Sequence, residues 1–309
     1  MSPSAVFLQQ IINGLSLGGM YALLALGFTL IYGILELINF AHFNVFMVGS
    51  FIGMWTLQAM GLSGQSVVLA GLPLAGALLV AFAVTMLASG GLGIAIERFT
   101  LRPIRNVGGQ VGMITTIGVS YILFNIILLG PGADAKNFPN PLPNISYHIG
   151  GAVLQLQEIL IWIVSIVLMA GLYFFVTKSK LGKAMRATSQ DSEAARMMGV
   201  DVDRVIIMAF FLGSALAGAS GLIFGLYYNF TSFIIGFTAG LRAFTAAVLG
   251  GIGNIPGAML GGLIIGLVES LGGQYIAVEW TDVIIFSILV LVLVFRPAGL
   301  LGTLAPSKS

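Results

Sequence analysis

The sequence predicts an all-α fold: a polytopic transmembrane helical bundle of about eight to ten crossings. Three observations carry this. The 309 residues are 58% hydrophobic and only 8% charged, against about a quarter charged in soluble proteins. So few charges cannot cover a surface in water, but lipid tolerates exposed Leu, Ile and Val. Apolar runs of about 20 residues, enough to span the hydrocarbon core, recur along the whole chain. Glycine supplies 42 residues, with four-residue spacings at Gly14/Gly18, Gly49/Gly53, Gly221/Gly225, Gly257/Gly261 and Gly262/Gly266. No single pair defines a seam; together they predict tight helix packing, because small residues let helix backbones approach closely in a membrane.

In chain order the candidate spans fall at 11–35, 37–58, 66–96, 111–129, 155–177, 205–228, 230–253, 256–275 and 282–296. The first two are separated only by 36–39, and the seventh and eighth only by the turn GNIPG at 253–257. Either place suits a broken or re-entrant helix. Lys and Arg then set the orientation. Arg98, Arg102 and Arg105 mark one cytoplasmic loop. Lys178, Lys180, Lys183, Arg186, Arg196 and Arg204 mark another, and Arg296 and Lys308 mark the C-terminal end. The Pro- and Asn-rich stretch 130–154 falls outside, with Lys136 beside Asp134. The turns near 59–65 and 276–281 carry no basic residue and fit the outer side. With nine crossings the N-terminus is expected outside and the C-terminus inside.

Several functional classes are excluded. The chain has no cysteine, which rules out disulfides, thiolate zinc sites and thiol catalysis. A net charge of +2 does not suggest a nucleic-acid partner. The N-terminal stretch has no basic region of the kind that opens a signal peptide, so the first apolar segment is expected to be retained. Gly182-Lys183 lacks the upstream glycine and following Ser/Thr of a phosphate-cradling loop. The whole of 1–309 reads as one membrane domain with 178–204 inside it.

That polar stretch, KSKLGKAMRATSQDSEAARMMGVDVDR, holds six of the thirteen basic and four of the eleven acidic residues. Asp191 or Ser192 can cap a short helix, Glu193 suits its first turn, and Gly199 fits its stop. The stretch reads either as a solvated, positive-inside anchor or as a rigid element that docks on a partner and passes motion to the flanking spans.

EAARMMG at 193–199 resembles the EAA-x-x-x-G loop of ABC importer permeases. The likeness extends to NGLSLGGMYALLALGFTLIYGILELINFAHF near the start, AVLGGIGNIPGAMLGGLIIGLVE near the end and FRPAGLLG at 295–302. These strings, in this order, are similar to the branched-chain amino-acid permeases of the LivH type. The resemblance implies that Gly182, Arg186, Asp191, Glu193, Ala194, Ala195 and Gly199 belong to the loop that couples to an ATPase. It implies two ABC ATPase subunits and a second, related but non-identical permease. It also implies a periplasmic or lipid-anchored solute-binding protein. No cofactor is expected on this chain; ATP is hydrolysed by the partner subunits. Leucine, isoleucine and valine lead as solutes, with urea and short amides as the alternative. One departure stands out: where the family has a glycine and an acid after NFAH, this chain has Phe43 and Asn44.

Polar residues at membrane depth are costly and therefore functional candidates. Glu36, Asn39, His42 and Asn44 lie at the first interruption, Thr115 and Thr116 on the fourth span, and Arg242 and Glu269 on neighbouring later spans. These are the candidate lining of a translocation pathway. Each also has a structural reading. Glu36 fits a cytoplasmic turn, His42 a satisfied packing histidine, and Thr115 and Thr116 back-bonding to their own helix. Arg242 and Glu269 fit a mutually neutralising pair. An ion-coupled transporter would call for paired mid-span carboxylates, and an intramembrane enzyme for a catalytic constellation. Mid-span carboxylates are scarce, and no catalytic constellation stands at suggestive spacing.

Overall fold

Helix α1 (Pro3–Leu35) runs through the middle of the molecule, and nearly every residue from Gly14 to Ile31 is buried. The computed structural model describes residues 2–62, 68–105, 107 and 109–302. Lys308 and part of the outer turn at 59–65 lie outside the described residues. The α1 helix starts eight residues before the predicted span. Ser2 accepts a hydrogen bond from the Ala5 N–H, and Pro3 occupies the first turn, where its missing N–H costs nothing.

The remaining helices are α2 (Ala41–Ala59), α3 (Gly71–Ile96), α4 (Gly109–Leu129), α5 (Leu156–Lys178), α6 (Lys180–Gln190), α7 (Ser192–Met197), α8 (Val202–Tyr228), α9 (Ile235–Gly250), α10 (Ile255–Tyr275) and α11 (Thr281–Phe295). All nine candidate spans correspond to helices. Seven helical segments among the described residues are long and apolar enough to cross a membrane. The two exceptions are informative. Helix α2 has the length, 19 residues, but carries His42, Asn44 and Ser50, all buried in protein. Helix α9 has 16 residues, about 24 Å at 1.5 Å per residue, short of the roughly 30 Å hydrocarbon core.

Small residues seat the central helix. Gly18 on α1 and Gly266 on α10 lie so close that a methyl group on either would strike the other helix's backbone. A methyl group on Gly49 of α2 would strike the backbone of Gly218 on α8, and one on Gly218 would strike Ser89 on α3. Around this core, α3, α4, α5 and α11 present Leu79, Leu87, Ile122, Ile126, Ile166 and Val294 outward, as a lipid-facing surface does.

Apart from Lys136 and Arg242, the described basic residues gather at one end. Arg102 and Arg105 reach Asp203 at the start of α8. Gly33 near the end of α1 lies against Gly253, and Gly251 against Gly299 and Gly302. By the positive-inside rule this end is cytoplasmic. At the opposite end, Gln9 accepts from the Val153 N–H and Gln10 pairs with Gln274. Two small antiparallel ladders add to the expected all-helical plan there. Strands β1 (Lys136–Asn137) and β4 (Phe230–Thr231) pair, which is why α9 begins later than predicted. Strands β2 (Ser146–Ile149) and β3 (Ala152–Gln155) form a hairpin. Its Gly150-Gly151 turn has φ of 58° and 86°, the left-handed pair that a two-residue hairpin turn requires.

Candidate functional site

The cytoplasmic loop is two short helices clamped to the bundle. Ser179 caps α6 through the Gly182 N–H. Gly182 is buried against the Val176 carbonyl, with no room for a Cβ, and Arg186 donates to the same carbonyl. Met185 is buried and borders a small gap with Thr29, Gly33 and Gly253. The α6 helix is thereby fixed to the ends of α5 and α1. Asp191 accepts from the N–H groups of Glu193 and Ala194 at 2.9 Å and caps α7. Of the two capping candidates it is the one used; Ser192 is the first helical residue. Gly199 has φ of 84°, and the Val200 N–H returns to the Ala195 carbonyl at 3.0 Å, a Schellman-type stop. Ala195 packs inward, while Glu193, Ala194, Met197 and Met198 face outward. The two methionines, 82% and 85% exposed, were not singled out from sequence. Their signal is an apolar pair at the tip of a polar loop.

Asp203 lies at the end of this loop, in the first turn of α8. It receives Arg102 and Arg105 at 2.7 and 2.8 Å. Arg105 also pairs with Glu97, fully buried in a π-helical turn at the end of α3. The loop thus touches α5 and α1 through α6, and α3 through the first turn of α8.

The first interruption is a genuine break. Glu36 ends α1 in the left-handed region, φ of 51°, and is exposed. The chain then climbs back along α1. His42 Nε2 lies 3.3 Å from the carbonyl oxygen of Leu24, eleven residues before the end of α1 at Leu35, about 16 Å along the helix. Helix α2 therefore starts deep in the bundle. Non-helical backbone at that depth needs partners, and the side chains supply them. Asn39 Oδ1 accepts from the Ala41 N–H. Thr116 Oγ1 accepts from the Phe40 N–H at 3.2 Å and donates to the Met113 carbonyl of its own helix at 2.8 Å. Thr115 back-bonds to Val111. His42, fully buried, faces α1.

Between α2, α4 and the start of α9 lies a cavity of about 470 Å³, lined among others by Phe40, Phe43, Asn44, Ser120, Tyr121 and Phe237. Its mouth is the exposed face of α4 and α9, where Tyr121 and Phe237 are 66% and 63% exposed. Asn44 Nδ2 donates to the Ser120 carbonyl and hydroxyl, both at 2.7 Å. Phe43 fits because Gly240 of α9 leaves room for its ring; it packs on Phe28 and Phe40. Of the sequence candidates, Asn44 alone lines this cavity directly, with Asn39 and Thr116 supporting its floor. Tyr121 and Phe237 were not legible as lining residues.

Arg242 and Glu269 do meet, but elsewhere, between α1, α9, α10 and α11. Arg242 pairs with Glu269, bonds Asp282 at 2.7 Å and reaches the Tyr21 hydroxyl at 3.2 Å. Among the described residues no group of three His, Cys, Asp or Glu side chains could hold a metal ion.

A bundle with a docked cytoplasmic loop, a broken helix and a cavity at membrane depth defines a polytopic membrane transport protein. The comparisons state which. The family described as "Branched-chain amino acid transport system / permease component" matches residues 10–293, and the chain belongs to it. It is 40% identical over 300 residues, 96% of both chains, to the high-affinity branched-chain amino acid transport system permease protein BraD of Pseudomonas aeruginosa. It is 40% identical over 303 residues, again 96% of both, to the permease protein LivH of the corresponding system of Escherichia coli K12. A probable branched-chain amino acid transport permease protein LivH of Methanocaldococcus jannaschii is 29% identical over 299 residues, 91% of this chain and 88% of that one. No solved structure matches the chain.

Proposed function

We propose that this chain is a membrane-spanning permease subunit of an ATP-binding cassette importer that carries leucine, isoleucine and valine across the inner membrane. The observation that carries the reading is full-length identity of 40% to permeases of high-affinity branched-chain amino acid systems. Two ABC ATPase subunits dock from the cytoplasm, one of them on α7 of this chain, with Glu193, Ala194, Met197 and Met198 as the contact face. A second, related permease covers the exposed face of α4 and α9, and a solute-binding protein delivers substrate at the opposite end. The chain itself binds no nucleotide. Alternating access follows from rocking of α5, α8 and α1, to which the loop is clamped.

The test is reconstitution of the assembled transporter in proteoliposomes. ATP-dependent uptake of labelled leucine is expected. A Glu193→Arg variant, or Gly199→Val at the left-handed stop, is expected to lose ATPase co-purification and uptake together. Uptake that persists with no ATPase subunit present would refute the reading.

A further inference from the structure

The lipid-facing surface is not closed between α3 and α5. We propose that the gap there is a phospholipid site. One acyl chain lies between the two helices, and a zwitterionic headgroup of the phosphoethanolamine class sits at its outer end, against the loop that joins α4 to α5. The site lies apart from the cavity between α2, α4 and α9.

The apolar half is a cavity of about 280 Å³. Leu78 and Phe82 of α3 form one wall, Ile161 and Val164 of α5 the other, and Ile223 and Leu226 of α8 the floor. The floor is buried, while Ala75 and Leu79 at the rim are exposed. The cavity therefore opens sideways, onto the same outward surface as Leu87 and Ile166. Water does not fill such a space, because it needs two to four polar partners; an apolar cavity of about 150 Å³ stays dry and binds benzene. Left empty, the walls would forgo their dispersion contacts. In a bilayer, what reaches this opening is an acyl chain. Along α5 the lining runs from Gln157 to Val164, about 10 Å at 1.5 Å per residue. That matches the upper part of one chain in a leaflet about 15 Å deep.

The outer end of the gap is bridged by backbone. The Leu69 N–H, just before α3, donates to the Pro141 carbonyl at 2.9 Å, and the Leu156 N–H, at the start of α5, donates to the Ile145 carbonyl at 2.9 Å. The segment between them thus crosses from one wall to the other. Its Leu142 is buried and lines the apolar cavity. Leu142 and Gln157 also border a second cavity, of about 370 Å³, on the loop side. Gln157 is engaged at both ends of its amide, donating to the Leu226 carbonyl at 2.7 Å and accepting from Asn140 at 3.2 Å, and it marks the boundary between the two compartments. The outer compartment is polar, with Asn144, Ser146 and Gln155 in its lining. Among the described residues, the Asn144 amide and the Ser146 hydroxyl have no hydrogen-bond partner, so both are free to donate to a ligand.

Charge selects the headgroup. Anionic lipids are recognised by clusters of Lys and Arg, and neither lining contains one. The acid beside the outer compartment is Glu158, whose Oε2 accepts from the Gln155 N–H at 2.8 Å. A headgroup with net negative charge would stand near that acid with no cation to meet it. A phosphoethanolamine brings its own ammonium, and neutral donors suffice for its phosphate. An acyl tail below and a zwitterion above are what the two joined compartments fit.

The experiment uses the full-length chain, extracted in mild detergent from membranes containing phosphatidylethanolamine, phosphatidylglycerol and cardiolipin. Bound lipid is counted by native mass spectrometry. One phosphatidylethanolamine per chain is expected to survive washing, preferred over phosphatidylglycerol by about tenfold, the worth of one charge-assisted hydrogen bond. Ala75→Phe fills the rim from an exposed position and is expected to remove the bound lipid. Ile166→Phe, on the same outward surface but outside the gap, is expected to keep it. Asn144→Arg puts a cation in the polar lining and is expected to exchange phosphatidylethanolamine for phosphatidylglycerol. A wild-type chain that retains no phospholipid, or retains the three lipids in the proportions of the membrane, would overturn the site. So would an Ala75→Phe variant that holds as much phosphatidylethanolamine as the wild type.

Discussion

Thr116 shows how one hydroxyl can hold a break open. The residue lies on α4, yet it serves backbone that belongs to the link before α2, accepting the Phe40 N–H at 3.2 Å. It is fully buried, so no water replaces it. Thr116→Val, nearly equal in volume, leaves that N–H without an acceptor. The expected loss is about 1–3 kcal/mol of stability, read as a lowered melting temperature of the detergent-solubilised protein. Thr115→Val, one position away and bonded only to its own helix, is the control and is expected to change little. Polar residues of this kind were legible as candidates, because polarity at membrane depth is conspicuous. Their roles were not. His42 and Asn44 are two residues apart in sequence, but one faces α1 and the other the cavity.

At the scale of elements the same limit recurs with a different cause. The nine apolar runs and the short helix α7 follow from local chain chemistry: run length, the Asp191 cap and the Gly199 stop. Which face of α4 points to protein does not. In lipid, outward and inward faces are both apolar, so periodicity carries little facing signal, and Tyr121 looks no different from a lipid-facing residue. The short helix α9 is tied to its neighbours by charge as well as by close packing. Arg242 ties it to Glu269 on α10 and Asp282 on α11, with arginine and glutamate side chains only 16% and 12% exposed. Removing one partner strands the other in a poorly solvated place. Arg242→Leu is expected to destabilise the protein by about 3–5 kcal/mol. Arg242→Leu combined with Glu269→Leu is expected to recover much of that, because no buried charge remains. Thermal unfolding of the single and double variants measures the difference; a double variant worse than the single would show that the pair is not what holds α9.

Over the whole molecule, the cytoplasmic loop is held to the bundle by α6 on the ends of α5 and α1, and by Asp203 on the turn that follows α3. The second is built from charges alone. Asp203→Asn weakens both arginine contacts and leaves Arg105 with Glu97 only. The α7 surface is untouched, so ATPase binding and basal hydrolysis are expected to persist while leucine taken up per ATP falls several-fold. Simultaneous measurement of phosphate release and uptake in the same vesicles tests this. Loss of ATPase binding instead would place Asp203 in the docking surface rather than in the transmission.

The enclosed position of α1 also sets a timetable for biogenesis. Its neighbours α8 and α10 are encoded from residues 202 and 255 onward. At about 5–20 residues per second, the most sequestered helix of the finished protein waits on the order of ten seconds or more after synthesis for its walls to arrive. A nascent chain arrested before α8 should therefore leave Ser16→Cys reachable by a membrane-permeant thiol reagent, and one released at full length should not.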